Sequence, residues 1–111
     1  MTVRLSRKLV LEERQNASDG AGGLVGSWIP LGTHWASVVP RTGRLERGDG
    51  YARSRVPYEV MIRSVPVDSS SRPKAGQRFR EGTRLFKIRS VSDATSDARF
   101  LICRVDEEVV A

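Results

Sequence analysis

Apolar and polar residues alternate along most of the chain with a period of two rather than 3.6, which predicts β-strands. A first strand is expected over about Leu5 to Arg14, with Leu5, Leu9 and Leu11 on one face, and Asn16 to Gly23 supply turn chemistry after it. A second strand follows at about Leu24 to Leu31. Gly32-Thr33 separates it from a third at His34 to Val39, which Pro40 closes. Further on, Tyr58, Val60 and Ile62 face one way and Glu59, Met61 and Arg63 the other, as in a half-buried antiparallel strand. Pro66 to Gly76 is a polar connection, and Gln77 to Arg80, the turn Glu81-Gly82 and Thr83 to Val91 read as a hairpin. Ser92 to Ala98 forms another turn. Arg99 to Val105 closes the fold, with Phe100 and Ile102 opposite Leu101, Cys103 and Val105, and the acidic run Asp106-Glu107-Glu108 reads as a solvated tail.

Gly, Ser, Pro and β-branched residues interrupt every window long enough to show a helical period. Six or seven short antiparallel strands without a covering helix predict an all-β fold, a small barrel or sandwich, because closure removes exposed edges. The 111 residues fit a single domain spanning 1–111, and a chain of that length buries roughly two thirds of its unfolded surface. Trp28, Trp35, Val60, Ile62, Phe86, Ile88 and Leu101 are the expected core. For the tryptophans, burial in a small core is weighed against exposure as a stacking platform for single-stranded nucleic acid, and core packing is favoured.

One segment departs from this pattern. Residues 41–56, RTGRLERGDGYARSRV, carry Arg41, Arg44, Arg47, Arg53 and Arg55 against Glu46 and Asp49, with three glycines and little apolar content. Such a connection between two strands is expected to be a long loop, and loops of this length in a compact domain are usually functional or disordered. The net charge of +6 favours a polyanionic or acidic partner. An arginine-rich, lysine-poor balance also follows from a G+C-rich genome, and elsewhere the bases alternate with apolar residues as on the wet face of a strand, so only the loop cluster stands out.

Catalytic and cofactor chemistry is absent from the expectations. His34 is the only histidine and Cys103 the only cysteine, which excludes the usual nitrogen and sulfur metal cluster and any internal disulfide. Cys103 lies among apolar residues and reads as structural. His34 beside Trp35 reads as packed or solvent-facing rather than as a catalytic base, and Glu12 and Glu13 on a strand point to opposite faces. Gly20 to Gly23 lack the lysine of a phosphate loop and read as a hairpin turn. No catalytic residue, metal or cofactor is expected, and the chain is not read as an enzyme. The absence of an apolar run of about 18 residues predicts a soluble, intracellular protein without a membrane partner.

The order of these pieces resembles the phage head-tail joining family, the head-closure or stopper proteins that also occur in gene transfer agents. The resemblance covers nearly the whole chain. It is carried by Leu11-Glu12-Glu13-Arg14, Asp19-Gly20 with Gly23, Trp28, Trp35-Ala36, Val38-Val39-Pro40, Gly43 and Glu46. It continues through Val60-Met61-Ile62-Arg63, Gly76-Gln77-Arg78-Phe79, Phe86-Lys87-Ile88, Val91 and Arg99-Phe100-Leu101, with Ser64 standing where family members often carry an aromatic. The resemblance implies a structural β-barrel made in the bacterial cytoplasm and built into a virion or phage-like particle. There it would form a sixfold or twelvefold ring at the head-tail junction, between portal or adaptor proteins and a tail terminator or tail tube protein. It also implies that the long loop faces the channel holding double-stranded DNA, where arginine-phosphate attraction needs no base sequence. The same arginines could instead pair with carboxylates of a neighbouring protein. A stand-alone small-barrel nucleic-acid-binding module of OB-like or SH3-like type is the alternative reading.

Overall fold

The computed structural model describes residues 4–18, 24–41, 54–96 and 98–109. Within them lie six strands: β1 (Arg7–Ser18), β2 (Leu24–Pro40), β3 (Ser54–Arg63), β4 (Arg78–Glu81), β5 (Arg84–Asp93) and β6 (Phe100–Val109). They close into an antiparallel barrel in the order β1-β2-β3-β6-β5-β4.

Period-two alternation sends one face of every strand inward. Leu9 and Leu11 of β1, Ala36 of β2, Val60 and Ile62 of β3, Phe79 of β4, Phe86 and Ile88 of β5, and Leu101, Cys103 and Val105 of β6 form one buried cluster. Burial pushes the Cys103 thiol up to about 12, so at neutral pH it is an inert apolar side chain. The β4–β5 hairpin turns through Gly82-Thr83, and the φ of 60° at Gly82 suits a type II′ turn, which takes glycine at its first central position.

Several expectations need correction. The two strands expected at Leu24 to Leu31 and His34 to Val39 are one, because β1 pairs across the break: Leu11 faces Gly32, Glu12 faces Pro30, and Leu31 bulges between them. Proline is tolerated there since the ladder is interrupted, and Gly32 lets the backbone pass Ser71, whose Cβ would lie 3.2 Å from an added Cβ. Trp35 is not in the core. It stands 56% exposed because Ala36 takes the inward position and the aromatic interior is supplied by Phe79 and Phe86. Trp28 is only partly buried, on the part of β2 that pairs with β1 beyond the β1–β4 contact. The acidic run is no tail: Asp106, Glu107 and Glu108 lie within β6, opposite Pro57, Val56 and Arg55 of β3. Strand β3 accordingly begins at Ser54, inside the expected 41–56 loop.

The connection 66–76 covers one end of the barrel. Pro73 is fully buried, Gln77 accepts the Lys74 backbone N–H at 2.8 Å, and His34 Nε2 donates to the Ser71 carbonyl at 2.7 Å. Burial lowers the His34 pKa, opposed in part by that carbonyl, so the ring is held neutral at physiological pH.

Phe86 has no exposed surface and meets Tyr58 edge-on at 5.6 Å between ring centroids. Phe86→Ala is expected to destabilise the fold by about 3–5 kcal/mol, read as a lower urea midpoint with an unchanged m-value.

Candidate functional site

The arginine-rich segment is rooted at one end of the barrel. The β2–β3 ladder runs to the pair Pro40 and Tyr58, and the Arg41 backbone N–H donates to the Pro57 carbonyl at 2.9 Å, so the segment leaves and returns between adjacent, hydrogen-bonded strands. Arg41 is paired by its own chain: its guanidinium lies 3.2 Å from Glu59 Oε1 in an exposed ion pair. Such a pair contributes at most about 1 kcal/mol. Arg55 is exposed in β3, in register with Glu108 of β6. Arg44, Arg47 and Arg53 lie outside the described residues.

Below this root, inward-facing charged side chains cap the core. Arg84 grips Glu107 with two bonds, Nε to Oε2 at 2.7 Å and a terminal nitrogen to Oε1 at 3.0 Å, and reaches the Tyr58 hydroxyl at 3.4 Å. Arg7 holds Glu81 in the same two-pronged way, with Nε to Oε2 at 2.9 Å. Hydrogen bonds from Arg7 and from Arg84 hold the Glu81 and Glu107 carboxyls below the usual range, and the bonded Arg84 is shifted further up. These fork-to-fork contacts fix orientation as well as charge.

A third cluster lies on the outer wall, where sequence reasoning had singled out no site. Glu12 faces outward yet is only 6% exposed, since Arg78 and Arg80 donate to its two oxygens at 2.8 and 2.9 Å. Burial pushes the Glu12 carboxyl up, but the two arginine bonds outweigh it and the pKa lies below the ordinary value. The Arg78 guanidinium also lies 4.0 Å above the Trp28 ring. The spacing Arg78-Phe79-Arg80 carried a signal for this: two bases flanking an inward aromatic must share the outer face.

In this arrangement the Glu12, Glu81 and Glu107 carboxylates are all engaged by arginine. Comparison with known proteins gives the chain a structural role. A profile of phage head completion proteins matches residues 1–108. The chain belongs to the phage head completion protein family. Its role is therefore structural, in closing the head of a phage-type particle. A chain in the virion of a native gene transfer agent particle is similar at 40% identity and a TM-score of 0.84, covering 99% of this chain and 100% of its own. Protein SF1141 of Shigella flexneri 2a is similar at 18% identity and a TM-score of 0.65 over 95% of this chain and 92% of its own, a likeness of fold alone. No curated protein sequence matches.

Glu12, Glu81 and Glu107 all have folded-state pKa values below their unfolded ones of about 4.3. Their contribution is complete above that value and is lost as pH falls through the folded values. The urea midpoint should therefore hold between pH 8 and about 5.5 and drop steeply below about pH 4. Glu12→Gln should be destabilised at pH 7 and lose part of the acid-dependent drop.

Proposed function

We propose that this chain is a head-tail connector of the stopper type, a single-domain barrel that assembles as a sixfold or twelvefold ring between the portal or adaptor proteins and the tail. The observation that carries the reading is the full-length likeness, at 40% identity, to a chain of a gene transfer agent virion. The root geometry supports it. The residues that flank 42–53, Arg41 and Ser54, sit at one barrel end, on the side where this reading puts the channel. Twelve residues leaving and returning there reach at most ~20 Å, six residues each way at ~3.4 Å.

In a ring, five arginines per subunit become a positive collar around the channel. Phosphate attraction would retain double-stranded DNA without reading its sequence and would weaken steeply with salt. Arg41 already shares its charge with Glu59, so Arg44, Arg47 and Arg53 are the main carriers of this task, with Arg55 at its base.

Replacing Arg44, Arg47, Arg53 and Arg55 together by Ser should leave a folded protein whose particles leak DNA or fail to join tails. Normal yields of DNA-filled, transfer-competent particles would sink the gating role.

One observation favours a second reading, a stand-alone nucleic-acid-binding barrel: Trp35 is exposed in a groove with Arg63, Leu5 and Phe100, which could act as a stacking platform. On the connector reading, short oligonucleotides at physiological salt leave tryptophan fluorescence unchanged, whereas saturable quenching that Trp35→Phe abolishes supports the module.

A further inference from the structure

The connection between β3 and β4 joins two strands that lie opposite one another in the closed order of the barrel. It departs beside the start of β6, where the Ser64 N–H donates to the Arg99 carbonyl at 2.9 Å. It arrives beside β5, where Gly76 N–H donates to the Ile88 carbonyl at 3.0 Å and Ile88 N–H to the Gln77 carbonyl at 2.9 Å. Its two ends therefore present features on opposite sides of the molecule.

At the departing end stand Val67 and Asp68. Val67 is 77% exposed, more than Trp35 at 56% or Val39 at 52%. Asp68 is exposed and has no ion pair among the described residues. The turn that carries them is held in place. Ser69 N–H donates to the Pro66 carbonyl at 3.0 Å, Arg72 N–H to the Ser69 carbonyl at 3.2 Å, and the Arg72 guanidinium to the Val65 carbonyl at 2.7 Å. Little ordering remains to be done when such a tip docks.

At the arriving end is a cleft of about 220 Å³ between the β1–β2 ribbon and β4–β5, lined by Arg14, Trp28, Arg78, Leu85 and Lys87, with Glu108 at its rim and Gly76 as the last residue of the connection. Trp28 and Leu85 make it apolar in part. Arg78 divides its charge with Glu12, while Arg14 and Lys87 have no carboxylate partner among the described residues. The cleft thus offers an apolar wall and two cations to an occupant with an apolar group and an anion, which is what the tip carries.

We propose that Val67 and Asp68 of one subunit seat in the Arg14, Trp28, Leu85 and Lys87 cleft of the next, a contact repeated head to tail around the ring. The proposal rests on the ring-forming reading above. An apolar knob complementary to a pocket elsewhere on the same molecule makes a heterologous contact, which closes into a ring when its rotation divides a full turn. A two-fold dimer through the cleft would instead set Arg14 and Lys87 against their own copies.

The test uses the full chain in assembled particles. With Val67→Cys and Leu85→Cys combined, mild oxidation should yield a ladder of disulfide-linked oligomers of this chain, since the buried Cys103 takes no part. Each single variant should give none. Asp68→Lys alone, or Arg14→Glu with Lys87→Glu, should strip the ring from the particles, and the three changes together should restore it. The contact is overturned if electron microscopy shows a ring in the same particles while the double variant stays monomeric or links only to another particle protein, or if the charge reversals leave the ring intact. Unaltered particles that contain the chain but no ring would instead defeat the ring reading itself.

Discussion

Closure of the barrel depends on the shortest of its seams. Strand β4 has four residues, and only Val10 with Arg80, Leu11 with Phe79 and Glu12 with Arg78 pair it to β1. Without that contact β1 and β4 would both be open edges, and the inner face formed by Leu9, Leu11 and Phe79 would lose its far wall. The Glu12 carboxylate spans the seam from outside, bonded at once to Arg78 and Arg80. Leu11 and Phe79 lock it from inside, so a few backbone bonds are reinforced on both faces of the sheet.

The rest of the architecture follows from sealing a small cylinder. Its aromatic volume comes from Phe79 and Phe86, with aliphatic residues between. One end is covered by the β3–β4 connection through Pro73 and the His34 contact to Ser71. The other is capped by inward-facing pairs, Arg7 with Glu81 and Arg84 with Glu107. Charged groups are acceptable at that end because each is bonded by two prongs and partly solvated, whereas an unpaired charge there would be costly.

These two coverings give the barrel polarity, which suits a protein that closes a particle head. The charged end carries the root of the arginine segment at Arg41 and Ser54, the covered end carries the crossing with Val67 and Asp68, and the Arg14 and Lys87 cleft lies along the outer wall. A monomer with distinct ends and distinct sides can meet different neighbours above, below and around it. Membership of the phage head completion family agrees with that geometry, since closing a particle head is a task of contacts rather than of chemistry.

Much of this was legible from local pattern. The alternation of Tyr58, Val60 and Ile62 against Glu59, Met61 and Arg63 identified an amphipathic strand, and the hairpin at Gly82 followed from turn chemistry, because side-chain direction and φ preference are properties of neighbouring residues. The isolated arginine cluster and the resemblance to head-closure proteins likewise needed only residue order. Pairing across the chain decided the rest. Gly32-Thr33 looked like a break until β1 bridged it, Asp106 and Glu107 looked like a solvated tail until β3 and the arginines of β5 engaged them, and Trp35 looked like core until Ala36 took the inward position. Register, shear and the identity of ion-pair partners arise between residues far apart in sequence. Local preference therefore determined which segments are strands and which residues share a face, while only closure of the sheet decided which of those faces became the core.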